Sequence, residues 1–184
     1  MRNVLRIMHD RSPDARPAAF ATVFVVAQHL DRLGDVVLAP LGLTTKQWLL
    51  LAVVQQGLAG SRPTLTEAAA VYGSSRQNVK AIARGLEVAG YLRLVPDPED
   101  HRATRLEVTD RVAVFATPDW HAREEAFFAL TFGHLEPGEV AQLADLLARW
   151  LAGVASRPPV GDAPVGASAA ALQPDSSPAK GTLP

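Results

Sequence analysis

The sequence predicts a mainly α-helical fold with one small β-hairpin. Three observations predict it. Apolar residues recur at helical spacing before residue 38 and again after residue 110. Between Leu65 and Thr109 the order is short helix, glycine turn, polar helix, then two short segments of alternating apolar and polar residues. A proline-rich, charged tip joins those two segments. This order outlines a winged helix-turn-helix, here flanked by long helices.

At 184 residues and 48% hydrophobic, the chain is long enough to bury one sizeable core. The reading divides it into a flexible N-terminal arm (1–16), a folded domain (17–155) and a disordered tail (156–184). Within the domain the winged helix occupies about 41–109, and dimerisation helices about 17–38 and 110–153. In the tail, Pro, Ala, Ser and Gly fill 19 of 29 positions, so little apolar surface is available to offset the entropy of ordering it.

Taken from the start, helix one opens at Pro17, a residue suited to a first turn. Phe20, Val23, Ala27 and Leu30 form its apolar stripe, widened by Val25, Val26 and Val37. Thr44 and Gln47 have the spacing of a capping box for helix two, with Leu43 and Trp48 placed as a hydrophobic staple. Helix two stops near Gly57, and Gly60 to Pro63 form a loop. A short alanine-rich helix follows, with Thr66 as its expected cap, and Tyr72-Gly73-Ser74 is the turn. The next helix begins at Ser74 or Ser75 and buries Val79, Ile82, Ala83 and Leu86. Gly85 inside it costs about 1 kcal/mol relative to alanine, and Gly90 ends it.

Tyr91–Val95 and Thr104–Val108 then alternate as strands, with Leu92, Leu94, Leu106 and Val108 facing the core. Thr109 caps a further helix. Thr117-Pro118 restarts the chain as a second one, and Pro137 opens the last, with Val140, Leu143, Leu147 and Trp150 in one stripe. The apolar stripes of the first and last helices are expected to pair between two copies of the chain.

Net charge is near zero, with 18 Lys and Arg against 19 Asp and Glu, so the distribution matters more than the total. Ser74–Tyr91 holds three basic residues and one acidic; Ala113–Gly153 holds two basic and six acidic. Such polarity would orient the molecule toward a polyanion. The chain has no cysteine, which excludes disulfides and thiolate metal ligands. No signal peptide is read, and the longest apolar run, Ala18 to Ala27, is well short of the ~20 residues of a membrane helix. A cytoplasmic protein is expected.

The candidate binding residues follow from these placements. Ser74, Ser75, Arg76, Gln77, Asn78, Lys80 and Arg84 lie on or beside the exposed face of the second helix after a glycine turn. Its first turns are where a helix-turn-helix meets base edges. Gln and Asn can pair bidentately with adenine and Arg with guanine, while a serine at a helix N-terminus suits a phosphate. On the hairpin, Arg102 is expected to enter a minor groove with Asp100 holding its guanidinium, and Arg105 lies on the outer face of the strand.

The motifs Ser75-Arg76-Gln77-Asn78-Val79, Gly90-Tyr91-Leu92, Asp97-Pro98-Glu99-Asp100-His101-Arg102 and Leu106-Glu107-Val108-Thr109 resemble the MarR family of transcriptional regulators. The resemblance covers roughly Leu41 to Leu151 and is most specific in the Asp-Pro-x-Asp-x-Arg tip. It implies a homodimeric repressor that binds palindromic double-stranded DNA. It also implies a small aromatic or phenolic effector bound between the dimer interface and the winged domain. Val112 stands where the family commonly has glycine, and Gly85 where it often has a basic residue.

Enzymatic readings lack a motif: there is no nucleophile elbow, phosphate loop or dinucleotide fingerprint, and no cofactor is expected. His121 and Glu125 share a helix face without a third metal ligand. The alternative from another class is a winged-helix module that binds protein rather than DNA.

Overall fold

The computed structural model describes residues 14–58 and 62–156. Most of the expected arm, the tail beyond Ser156 and part of the loop before Pro63 lie outside the described residues. Helix α1 spans Arg16–Leu38 and ends in a 3₁₀ turn, Ala39–Leu41. Helix α2, Thr45–Ala52, runs on into a π-helical turn, Val53–Gly57. Then come α3, Leu65–Tyr72, and α4, Arg76–Val88. Strands β1, Leu92–Pro96, and β2, Thr104–Val108, pair antiparallel with Leu94 opposite Leu106. A 3₁₀ stretch, Asp110–Ala116, leads to α5, Pro118–Phe132, and α6, Pro137–Ala155. The chain divides after Val140 into two compact units, the first holding α1 through α5.

Local chemistry explains most helix starts. Thr44 accepts from the Gln47 amide at 3.3 Å, and Gln47 accepts from the Thr44 amide at 2.8 Å, closing the expected capping box. Helix α3 uses the same device two residues earlier than expected. Its cap is Thr64, not Thr66: Thr64 Oγ1 accepts from the Glu67 amide at 3.2 Å and Glu67 accepts from the Thr64 amide at 2.7 Å. Starting there turns Leu65 into the core, where it is 1% exposed. The Thr64 amide and hydroxyl also hold the Glu67 carboxyl below its ordinary pKa. Thr117 caps α5 with Pro118 in the first turn, as expected, whereas Thr109 caps the 3₁₀ stretch rather than an α-helix.

The core belongs to the winged helix. Leu50, Leu51, Leu65, Val79, Leu86, Leu92 and Leu106 are all at or below 1% exposure. Val79, Ala83 and Leu86 are the buried stripe of α4, with Ile82 packed half-buried beside them. Gly85 has its reason here: a β-carbon would collide with Nε2 of Gln47, the side chain that completes the α2 cap. Tyr91 ties this core to the end of α1 by donating its hydroxyl to the Leu41 carbonyl at 3.2 Å. Beneath it, Phe115 and Trp120 pack edge to face with centroids 4.9 Å apart.

Helix α1 differs. Only Gly34 and Leu38, near its C-terminal end, are buried, and Phe20 and Phe24 are each 58% exposed. Taken by itself, α6 is likewise exposed along Leu146, Leu151 and Val154. Among the described residues no single helix is long and apolar enough to cross a membrane.

Candidate nucleic-acid interface

Helix α4 is set by Gly73, whose φ of 74° ends α3 in the left-handed region, where a β-carbon would be strained. Ser75 rather than Ser74 is the cap, accepting from the Asn78 amide at 3.2 Å. Ser74 is engaged too: its Oγ accepts from Asn78 Nδ2 at 2.8 Å. The Asn78 side chain is therefore held against the turn, and the reading positions that remain free in the first two turns are Arg76, Gln77 and Lys80. All three are exposed, and with Arg84 a turn further on they line an open surface groove of about 560 Å³. None of the three cations has an ion-pair partner among the described residues. They project from a helix whose opposite face is anchored in the core.

The wing is organised by Asp97, which the sequence reading placed in the tip motif without a structural role. Asp97 is 3% exposed. One carboxylate oxygen accepts from the Glu99 and Asp100 amides at 2.8 and 3.2 Å, and the other meets Arg105 Nε at 2.6 Å. The Glu99 amide foremost, then the Asp100 amide and Arg105, hold its carboxyl below the ordinary range against the opposing effect of desolvation. Arg105 also donates to the Arg62 carbonyl at 2.8 Å. Next to it the Leu106 amide donates to the Pro63 carbonyl at 2.8 Å, and Thr64 bridges Arg105. Arg105 thus fastens the hairpin to the segment before α3.

Asp100 does not hold the Arg102 guanidinium as expected. Its carboxylate accepts from the Arg102 backbone amide at 2.9 Å, which shapes the tip. The Arg102 side chain is exposed and has no ion-pair partner among the described residues. The two wing arginines therefore stand apart: Arg105 is bound internally and Arg102 is free.

Residues 41–103, from the end of α1 to the wing tip, match the sequence profile of the MarR family. The match spans 63 of the 184 residues, and this segment is similar to the MarR family. An uncharacterized protein of Mycobacterium tuberculosis is 40% identical to it over 88 residues, 48% of this chain and 58% of that one. The transcriptional activatory protein BadR of Rhodopseudomonas palustris is 26% identical over 108 residues, 56% of this chain and 62% of that one. The chain thus spans about 60% of the length of these curated relatives. The fold is shared with a mutant of E. coli MarR complexed with operator DNA, at a TM-score of 0.58, 22% identity and coverage of 71% and 91% of the two chains. It is also shared with Bordetella bronchiseptica BpsR, whose DNA binding is regulated by 6-hydroxynicotinic acid, at a TM-score of 0.59, 20% identity and coverage of 72% and 97%.

The chain also has a cavity that its sequence did not reveal. Val37 and Leu38 of α1, Trp48 of α2 and Trp120 and Phe127 of α5 enclose an apolar space of about 60 Å³. A second, polar space of about 160 Å³ shares Trp48, Trp120 and Glu124 with it and adds Gln55 and Gln56. Trp48 reads in sequence as half of a hydrophobic staple; the signal that it also lines a cavity needs three helices in place. Among the described residues no cluster of His, Asp and Glu is arranged to hold a metal.

Proposed function

We propose that this protein is a homodimeric, sequence-specific DNA-binding transcription regulator that acts as a repressor and is released by a small ligand. The observation that carries the reading is the set of Arg76, Gln77, Lys80 and Arg84 along the open face of a helix anchored by its buried stripe. Gln77 and Arg76 would read base edges in a major groove, with Lys80 and Arg84 toward phosphates. Arg102 would reach the adjacent minor groove, and Arg105 would support the wing from within. The exposed apolar residues of α1 and of α6 would be covered by a second copy, and two reading helices would then address a palindrome with half-sites about one DNA turn apart. DNA as the partner implies a cytoplasmic setting. The cavity between α1, α2 and α5 is the place for an effector, beside the Thr45 hydroxyl that donates to the Asp31 carbonyl at 2.8 Å and so joins α1 to α2.

Fluorescence anisotropy with duplexes tiled across the DNA upstream of its own gene tests this. The expected result is one tight palindromic site and salt-sensitive binding. Indifference to every duplex at moderate salt, with salt-insensitive capture of a protein partner, would favour an interaction module instead.

A further inference from the structure

We infer that the DNA backbone contact extends past the reading face of α4 into a second basic groove, where Arg111 takes a phosphate. The inference rests on the DNA-binding reading above and adds a residue from outside the helix-turn-helix and the wing. The groove, of about 520 Å³, is open at the surface and lies between the α1–α2 corner, the second half of α4 and the start of the 3₁₀ stretch. Arg84, Arg111, Gln47 and Gly85 line it, with Leu41 and Val88. Arg84 also lines the groove that holds Arg76, Gln77 and Lys80, so the two basic surfaces are continuous through one side chain.

The walls favour an anion. Among the described residues they carry two guanidinium groups and no carboxylate. Neither arginine has an ion-pair partner among the described residues. Gln47 accepts from the Thr44 amide with its oxygen, and its amide nitrogen lies over Gly85, where a side chain would displace it. Arg111 is exposed but not loose: its guanidinium lies 4.9 Å from the centroid of the Tyr91 ring, and its stem runs beside Gly90. Held this way, the cation is positioned in advance and gives up less side-chain freedom when an anion arrives.

Distance fixes the kind of contact. Arg76 and Arg84 are eight residues apart on α4. That separation is ~12 Å along the helix axis, comparable with the major-groove width of about 12 Å. With Arg76 and Gln77 at base edges, Arg84 falls at the rim of the groove, where the sugar-phosphate backbone runs. Arg111, next to it and off the helix, meets backbone alone, so its contact carries no sequence information.

Fluorescence anisotropy of the full chain over a salt series tests this, with the tight upstream duplex and an unrelated duplex of the same length. Arg111→Gln keeps the stem over Tyr91 and removes the charge. It is expected to weaken both duplexes about fivefold at 0.15 M salt and to lower the slope of log affinity against log salt by about 0.9. Arg111→Lys should keep the slope, and both variants should unfold at the midpoint of the unsubstituted protein. A merely structural role for Arg111 would move the midpoint and leave the slope. A slope unchanged in Arg111→Gln, or a loss confined to the upstream duplex, would overturn the inference while the DNA-binding reading stands. Calorimetry with inorganic phosphate on the DNA-free protein is the second arm: heat abolished by Arg111→Gln, with the slope unchanged, would overturn the inference in favour of a free anion. If the unsubstituted protein binds neither duplex, the DNA-binding reading itself falls and the inference with it.

Discussion

Helix α4 and the wing hairpin both carry basic residues, yet they are held in opposite ways. Helix α4 is fixed by apolar burial: Val79, Ala83 and Leu86 are fully enclosed, and its cations have no ion-pair partner among the described residues. The wing is fixed by polar bonds: Asp97 collects two amides and Arg105, and Arg105 adds the Arg62 carbonyl. The difference teaches that an arginine's place on a strand or helix does not define its role. What its guanidinium already touches does. Of Arg102 and Arg105, Arg105 is part of the scaffold and Arg102 is available to a partner.

Truncating the apolar anchor should have the largest effect. Leu86→Ala is expected to lower stability by about 2–5 kcal/mol, measured by urea denaturation, and to loosen α4 with the whole winged helix. A loss under about 1 kcal/mol would mean that α4 is not held by its buried stripe. Next comes the reading position itself. Gln77→Ala should erase about 1–3 kcal/mol of discrimination at one base pair per half-site while leaving nonspecific affinity nearly unchanged, as tested by competition with single-base operator variants.

The polar anchor should fail locally. In Asp97→Asn, amide hydrogen exchange is expected to speed up in β1, β2 and the tip while α4 remains protected. The same carboxylate sets an acid limit. Its folded pKa is depressed, so its contribution is complete above the ordinary aspartate value, about 3.9, and is lost as pH falls through the lower folded value. The wing of the unsubstituted protein should therefore loosen only below about pH 4, and Asp97→Asn should lack that step. Exchange that rises equally in α4 and the wing would erase the contrast between them. The smallest effect is expected at Gly85→Ala. About 1 kcal/mol of helix propensity gained is set against displacement of Gln47 from its cap, a loss of similar size, so the midpoint of thermal unfolding should barely move.

Much of this fold was legible because its signals are local. The Thr44–Gln47 box, the Gly73 turn, the Val79–Leu86 stripe and the Thr117-Pro118 start each lie within one or two helical turns. The α3 cap was misplaced because Thr64 and Thr66 both suit a cap; the Glu67 three residues after Thr64 is the cue that separates them. The Asp97–Arg105 pair was not legible, since it depends on hairpin register and on a strand-like contact with Pro63 and Thr64. Nor was the cavity, whose walls come from residues 37 to 128 and exist only once α1, α2 and α5 are packed. Asp100 was assigned to the right residue and the wrong atom. A side chain two positions away reaches the backbone amide of Arg102 more readily than its mobile guanidinium.

The division between the two wing arginines is tested most directly by the salt dependence of operator binding for Arg102→Ala and Arg105→Ala. Arg102→Ala should weaken binding to all sequences and reduce the slope of log affinity against log salt by about 0.9, the loss of one phosphate-like contact. Arg105→Ala should keep the slope of the unsubstituted protein and instead lower wing protection in hydrogen exchange. A slope reduced by Arg105→Ala and unchanged by Arg102→Ala would contradict the account.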